Sequence, residues 1–506
     1  MATITTIDPV TRLEGHLKVE VTVDLVNGAQ QVVSAKASGT LFRGFENLLV
    51  NRHPWDAQHI TQRICGVCPV AHGMAAVEAQ DQAYGLTVPN NGRIMRNLVL
   101  AANFIQSHIL HFYHLAAQDF VDGPNMPPWQ PSYSVDKRFT AAENTRLVNN
   151  YVKALEMRRK AHEMGAIFGG RMPSPPTLIP GGVTASLTAA AITKYRTYAT
   201  ELTTFINSTY LPDVQFLAGR YPDYAQIGKG YGNLIAYGCF PQNQAGNIRL
   251  LRRGIVLNGA APAAMNVNSI TEQVTYSWYQ AADGGKNPLS GATHAQFPKT
   301  GAYSWLKAPR YGGAPMEAGA LARMTVTDGK KRGVSVLARH AARAEEAQLI
   351  ANALPTWLGQ LAVGQPSLVQ PTAIPATAQG IGLTEAPRGA IGHWVKIAGG
   401  KISQYQIVTP TCWNASPRDN AGKLGPIEAA LVGTPVQDVS QPVEVLRVIH
   451  SFDPCLSCAV HVSRPNEGVR IFAVPHVHGE EESCDVAHGH SHDHDHDHDH
   501  GHAHSH

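Results

Sequence analysis

Between residues 17 and 25, Leu17, Val19, Val21, Val23 and Leu25 alternate with Lys18, Glu20, Thr22 and Asp24. A period of two puts every apolar side chain on one face, so the segment predicts a half-buried strand. Asn27-Gly28 follows, a pair that readily adopts the positive φ angles of a two-residue hairpin turn. The stretches 94–119 and 144–168 instead repeat their apolar positions at helical spacing with few breakers, and 332–354, rich in alanine and glutamate, contains a further helix. Proline and glycine cluster at 123–131, 173–182 and 284–313, which predicts surface loops. Together these elements predict an α+β fold that is predominantly helical, a bundle of long helices with small peripheral β-sheets.

The stretch 98–117 is apolar, but it carries Gln106, Ser107, His108, His111 and His114, which would be costly against lipid. It reads as a buried helix, and no membrane span is expected. His108, His111 and His114 recur at three-residue steps and share roughly one helix face. Metal binding and hydrogen-bonded core histidines both fit that spacing, and the second is the commoner outcome.

Composition narrows the picture further. Of 506 residues, 16% are charged and 43% are hydrophobic, a balance suited to a large interior and a sizeable surface buried against a partner. A net charge of +3 is too small to imply nucleic acid. No linker-like change of composition occurs before residue 461, so residues 1–461 read as one interlocked domain. The first residues lack a basic segment followed by an apolar core, and no signal peptide is expected. From 488 to 506 histidine alternates with Asp, Gly, Ser and Ala. Residues 462–506 therefore form an extension that cannot bury a core and is suited to divalent nickel or zinc.

Seven cysteines include two Cys-x-x-Cys pairs, Cys65-Gly66-Val67-Cys68 and Cys455-Leu456-Ser457-Cys458, near opposite ends of the domain. Each is followed by a histidine, His72 and His461. Four thiolates hold soft transition metals, and pairs this far apart can meet only if the fold is built around them. That places a metal deep inside, between the N- and C-terminal segments. A structural zinc site and a redox dithiol are the other readings of the pattern, although zinc knuckles usually lie within about twenty residues of each other. Cys239 and Cys412 read as buried apolar residues, and Cys484 lies in the extension. His72, one helical turn after Cys68, is close enough to donate a hydrogen bond to its sulfur; a structural histidine would look the same.

The flanks are more specific than the pairs. Arg63-Ile64-Cys65-Gly66-Val67-Cys68-Pro69-Val70-Ala71-His72 and Asp453-Pro454-Cys455-Leu456-Ser457-Cys458-Ala459-Val460-His461 resemble the two signature ends of nickel-iron hydrogenase large subunits. Between them, in family order, come Asp8 to His16, Arg43-Gly44-Phe45-Glu46, Ser107 to Leu115, Arg339 to Glu346 and Glu385-Ala386-Pro387-Arg388-Gly389. Several stretches are most similar to the nickel-iron-selenium subgroup, in which selenocysteine stands where this chain has Cys455. The ligand set survives that departure, but selenium-dependent traits such as oxygen tolerance do not carry over.

The resemblance implies a catalytic subunit that cleaves H2 reversibly into protons and electrons. It implies Cys65 and Cys455 as terminal nickel ligands, and Cys68 and Cys458 as bridges to an iron carrying carbon monoxide and cyanide. Arg388 would sit above the metals, oriented by Asp453, with Pro387 and Thr411 lining the pocket of the diatomic ligands. Glu14 matches the family's proton-transfer glutamate. Glu46, His461 and a main-chain carbonyl around Ile407 match the ligands of a second cation, magnesium or iron. With four cysteines committed, none remain as a set for iron–sulfur clusters, so electrons leave through a small subunit that carries them. A nickel-insertion apparatus, an endopeptidase cutting after His461, and a periplasmic or membrane-associated location reached by co-export complete the expectation. A hydrogen sensor would keep the same site, and a nickel-storage protein would explain the tail alone.

Overall fold

From Asn91 to its end, every residue of the helix Asn90–Leu110 is buried. A helix enclosed on all sides has no solvent stripe, so its polar side chains need partners inside the protein. Arg96 donates to Asp81 at 2.6 Å, His108 meets Glu346 at 2.8 Å, and the Asn103 amide donates to the Val67 carbonyl at 3.1 Å. The computed structural model describes residues 2–130, 132–370 and 373–459, with Cys458 and Ala459 described by their backbone alone. At His111 the hydrogen bonding widens into a π-helical segment, His111–Ala116, and then tightens into the 3-10 turn Ala117–Asp119. The segment predicted as one helix, 94–119, thus has three successive pitches, and the widened turn holds two of its three histidines.

Around this helix pack Ala141–Gly169 and Val336–Gly359, with Ala189–Phe205 bridging the two. The helix Ala141–Gly169 starts at a capping box: the Thr140 N–H donates to the Glu143 carboxylate at 2.8 Å, and the Glu143 N–H to the Thr140 hydroxyl at 3.3 Å. The helix predicted at 332–354 begins instead at the Ser335 cap and runs through Pro355 to Gly359. A proline in the last turn forfeits one backbone bond and normally ends a helix. Here burial of Trp357 and Leu358 on the same core outweighs that loss.

The predicted strand is Leu17–Val26, turning at Asn27 (φ 53°) and Gly28 (φ 83°) into Ala29–Gly39, with Thr3–Ile7 added on its other edge. A second antiparallel sheet, Thr377–Ala386, Gly389–Ala398 and Lys401–Val408, has no counterpart in the hydrophobic pattern. It lies against the helix Pro69–Tyr84 so closely that a Cβ on Gly382 would stand 1.9 Å from the Ala75 carbonyl oxygen, and one on Gly380 would stand 1.9 Å from that of Ala79. Gly382→Ala should therefore lower stability by about 3 kcal/mol through overpacking. Gly219→Ala, with open space around it, should be neutral or slightly stabilising. Thermal unfolding of the two variants compares them directly.

The 284–313 segment, expected at the surface, turns inward at its end: Ser304, Leu306, Lys307 and Arg310 are buried, and Ala308–Tyr311 pairs with Ile270–Gln273. The charges are carried inside by their partners, Arg310 bonding Asp419 at 2.7 Å.

Candidate metal centre

Cys68 caps the helix Pro69–Tyr84, and Cys65 curls back so that its sulfur accepts from the Val67 and Cys68 N–H groups at 3.3 and 3.2 Å. Cys455 reaches the same point from the other end of the sequence. Its N–H donates to the Thr411 hydroxyl at 2.9 Å, the next N–H, of Leu456, donates to the Glu14 carbonyl at 2.6 Å, and its sulfur lies 3.3 Å from that of Cys65. The ligand atoms of Cys65, Cys68 and Cys455 all lie within 4.8 Å of one another, and all three residues are buried. This is the one such cluster of metal-ligating groups among the described residues.

Two residues outside the cysteine motifs seal the junction. A Cβ on Gly15 (φ 85°) would stand 2.3 Å from the Ser457 nitrogen, so only glycine lets the two chain ends approach this closely. Arg43 donates to the carbonyls of both Ile64 and Ser457, tying one cysteine loop to the other. The sequence marked Arg43 only as part of a motif; its bond across 414 positions has no local signal.

Arg388 stands in the two-residue turn between Thr377–Ala386 and Gly389–Ala398. Its guanidinium is buried and lies 3.1 Å from Asp453, yet that approach is too poorly aligned to be a hydrogen bond, and none of its three nitrogens finds an acceptor among the described residues. Burial alone would push its pKa down; the charge of Asp453, joined by the cysteine sulfurs, outweighs this and raises it well above the ordinary arginine value. A buried cation with unused donors is expensive unless something accepts from it.

The turn is held rigidly from behind. Arg323 donates to the carbonyls of Ala386 and Pro387 at 2.9 and 2.8 Å, and pairs with Glu385 at 2.9 Å and with both oxygens of Glu346 at 2.6 Å. Glu346 also meets His108. Three separated sequence motifs thus converge on one buried network that fixes where Arg388 points. His111 bonds the His450 carbonyl at 2.6 Å and His114 the Tyr151 carbonyl at 3.2 Å, so the three-histidine series consists of hydrogen-bonded core residues. Burial lowers the pKa of all three.

His72 Nδ1 pairs with His393 Nε2 at 3.2 Å, and His393 Nδ1 with the Tyr405 hydroxyl at 2.8 Å. The other nitrogen of His72 has no partner among the described residues, so the expected bond to the Cys68 sulfur is not made. Burial lowers the His72 pKa to about 4, keeping it neutral. Nothing in the sequence singled out His393.

Glu14 is half-buried at the rim, its carboxylate accepting from the Gly66 N–H at 3.4 Å. Glu46 and Ile407 do meet, but through the Ile407 N–H, which donates to the Glu46 carboxylate at 2.8 Å. The other oxygen of Glu46 accepts from Thr293, and Lys307 stands 3.9 Å away with Glu272 on its far side at 3.4 Å. The Cys458 side chain and His461 lie outside the described residues. Cys239 and Cys412 are buried, and burial raises both thiol pKa values.

Three buried thiols brought together from distant segments, near an arginine with donors to spare, form a cluster that could hold a soft metal ion. The family model for nickel-dependent hydrogenases matches the chain over residues 43–132, 125–334 and 329–461, and one described as HoxL-like matches 4–34. The chain belongs to the nickel-dependent hydrogenase family, as a large subunit. It is 44% identical to the periplasmic [NiFeSe] hydrogenase large subunit of Desulfomicrobium baculatum, over 91% of this chain and 95% of that one. It is 33% identical to the uptake hydrogenase large subunit of Bradyrhizobium diazoefficiens, with the same shares covered. The Ni-Fe-Se hydrogenase structure from D. vulgaris Hildenborough superposes with a TM-score of 0.87 at 44% identity, covering 91% of this chain and all of that one.

Proposed function

We propose that this chain is the catalytic subunit of a heterodimeric hydrogenase that cleaves H2 reversibly into two protons and two electrons at a nickel–iron centre. The observation that carries the reading is the buried thiol cluster near a guanidinium that finds no acceptor among the described residues. Cys65 and Cys455 would hold nickel, and Cys68 and Cys458 would bridge to the iron. When bound, the centre, with carbon monoxide and cyanide on its iron, supplies the polarisation and electron storage that splitting H2 requires. Arg388, placed by the charge of Asp453 and the rigid Pro387 turn, would donate hydrogen bonds to a cyanide of the bound centre and exclude water there. Thr411 fixes the backbone of Cys455. His72, kept neutral by burial, stands behind the thiols on His393.

Glu14, at the rim of the cysteine loop, takes the proton outward on its carboxylate. Glu14→Gln keeps the shape and removes the relay. The nickel content should be unchanged, while H2 oxidation and hydrogen/deuterium exchange fall about a hundredfold or more. Unchanged exchange would move the proton path elsewhere.

Glu46, the Ile407 carbonyl and His461 are assigned to a magnesium or iron ion near the C-terminus. The small subunit takes the electrons on its iron–sulfur clusters, and co-export with it brings the chain to the periplasm; no described helix is long and apolar enough to cross a membrane. Nickel-insertion proteins load the site. A dedicated endopeptidase then cuts after His461, removing 462–506 and leaving the domain 1–461. Intact-mass measurement of the active complex should find the chain ending at His461; fully active enzyme ending at His506 would refute the processing step.

Infrared spectroscopy of the purified complex tests the central claim, because metal-bound carbonyl and cyanide absorb where proteins do not. Active, nickel-loaded protein without those bands would overturn it.

A further inference from the structure

Away from the thiols, a cavity of about 830 Å³ opens between the helices Pro69–Tyr84 and Asn90–Leu110, the strand Thr377–Ala386 and the hairpin of Cys239–Pro241 with Arg249–Leu251. Four arginines line it, Arg93, Arg96, Arg249 and Arg253, against two carboxylates, Glu78 and Asp81. The charges do not cancel. Asp81 is spoken for by Arg96 and by the Gly181 N–H, both at 2.6 Å. Glu78 forms no ion pair among the described residues, and neither do Arg93, Arg249 or Arg253.

Arg93 is the most telling of these. It is 8% exposed, it gives one bond to the Pro241 carbonyl at 2.6 Å, and its Nε is buried without a partner among the described residues. Arg253 is anchored on the Tyr237 and Leu383 carbonyls at 2.7 and 3.2 Å. Arg249 makes no hydrogen bond among the described residues. The remaining wall is mixed, with Leu100, Phe240 and Leu383 beside the amides of Asn97, Asn243 and Gln244.

We propose that this cavity binds a small oxyanion-bearing molecule, a phosphate or carboxylate group on an apolar or aromatic body, with Arg93, Arg249 and Arg253 taking the anion. Planar guanidinium forks match both anions, and pairing them on a ligand satisfies donors that the protein leaves open. The local electrostatics agree with a site short of negative charge. Burial and the positive charge of Arg249 push Arg253 down to about 10, and burial pushes Glu78 up to about 7, so that near neutrality its carboxyl is substantially protonated and can donate to the same anion. The cavity exceeds the size of a bare phosphate, which leaves its mixed wall for the rest of the ligand, apolar residues for its body and amides for any polar groups.

The test is calorimetric titration of the purified heterodimer with three probes: inorganic phosphate, adenosine monophosphate and citrate. At least one should bind saturably with one site per large subunit. Preference for the nucleotide identifies a phosphate monoester, preference for citrate a carboxylate, and equal binding of bare phosphate a free oxyanion. Arg249→Ala, which removes no bond within the described protein, should weaken binding about tenfold or more through loss of a charge-assisted contact. Glu78→Gln should preserve or tighten it, and both variants should keep wild-type hydrogen oxidation. No saturable binding of any probe, or an affinity unchanged by Arg249→Ala, would overturn the proposal.

Discussion

Cys455→Ser should abolish hydrogen oxidation and strip the protein of nickel. Cys455 holds its place through two backbone bonds, from its own N–H to Thr411 and from Leu456 to Glu14, and neither involves the sulfur. The substitution therefore leaves the backbone of the site intact and changes only the donor atom. A hydroxyl is a hard, weakly acidic ligand, whereas a thiolate stabilises a soft metal in several oxidation states. Activity should fall below detection, roughly 10³-fold or more, and nickel measured by mass spectrometry should drop well below one per chain. Retention of both would remove Cys455 from the ligand set. The effect should exceed that of Cys412→Ser, whose sulfur lies outside the thiol cluster and accepts from the Thr409 hydroxyl at 3.3 Å.

The second large effect is expected at Arg388. Arg388→Lys preserves the charge beside Asp453 but replaces a planar fork with a shorter, more strongly hydrated point charge. Because Arg323 fixes the Pro387 turn through backbone carbonyls, the variant should still fold and take up nickel. Turnover should fall about 10² to 10³-fold, the range seen when one preorganised donor is withdrawn from a reacting centre. Nickel content, infrared bands and rate, measured on one sample, separate the outcomes. A normal rate would reduce Arg388 to a structural tie, and loss of nickel would make it part of assembly.

What could be read in advance follows a physical division. The strand Leu17–Val26 was legible because one face is wet, so burial wrote an alternation into the sequence. The sheet from Thr377 to Val408 was not, because Gly382 to Val395 is buried on both sides, and Glu385 and His393 within it are satisfied by distant Arg323 and by Tyr405. The helix past Pro355 was hidden for a similar reason: the core contact that sustains it comes from elsewhere in the chain. At the site, the cysteines and their flanks were legible as short motifs. Arg43 and His393 were not, since the contact that gives each its place at the site is with a residue hundreds of positions away, Ser457 and His72. The placing of His72 against His393 rather than a sulfur depended on that unseen partner.

The closure of Gly15 and Arg43 onto Ser457 also has a consequence in time. Cys65 and Cys455 are separated by 390 positions, so at a synthesis rate of about 5–20 residues per second the first cysteine pair leaves the ribosome roughly 20–80 s before the second. Throughout that interval Cys65 and Cys68 form an incomplete dithiol on a nascent chain, and the N-terminal strands lack the segment that covers Glu14. The centre therefore cannot form until Cys455 has emerged, and it cannot act as a nucleus for folding. The long buried helix and its neighbours must be stable enough to wait for it, and the cell must keep one pair of thiols reduced until the last stretch of polypeptide arrives.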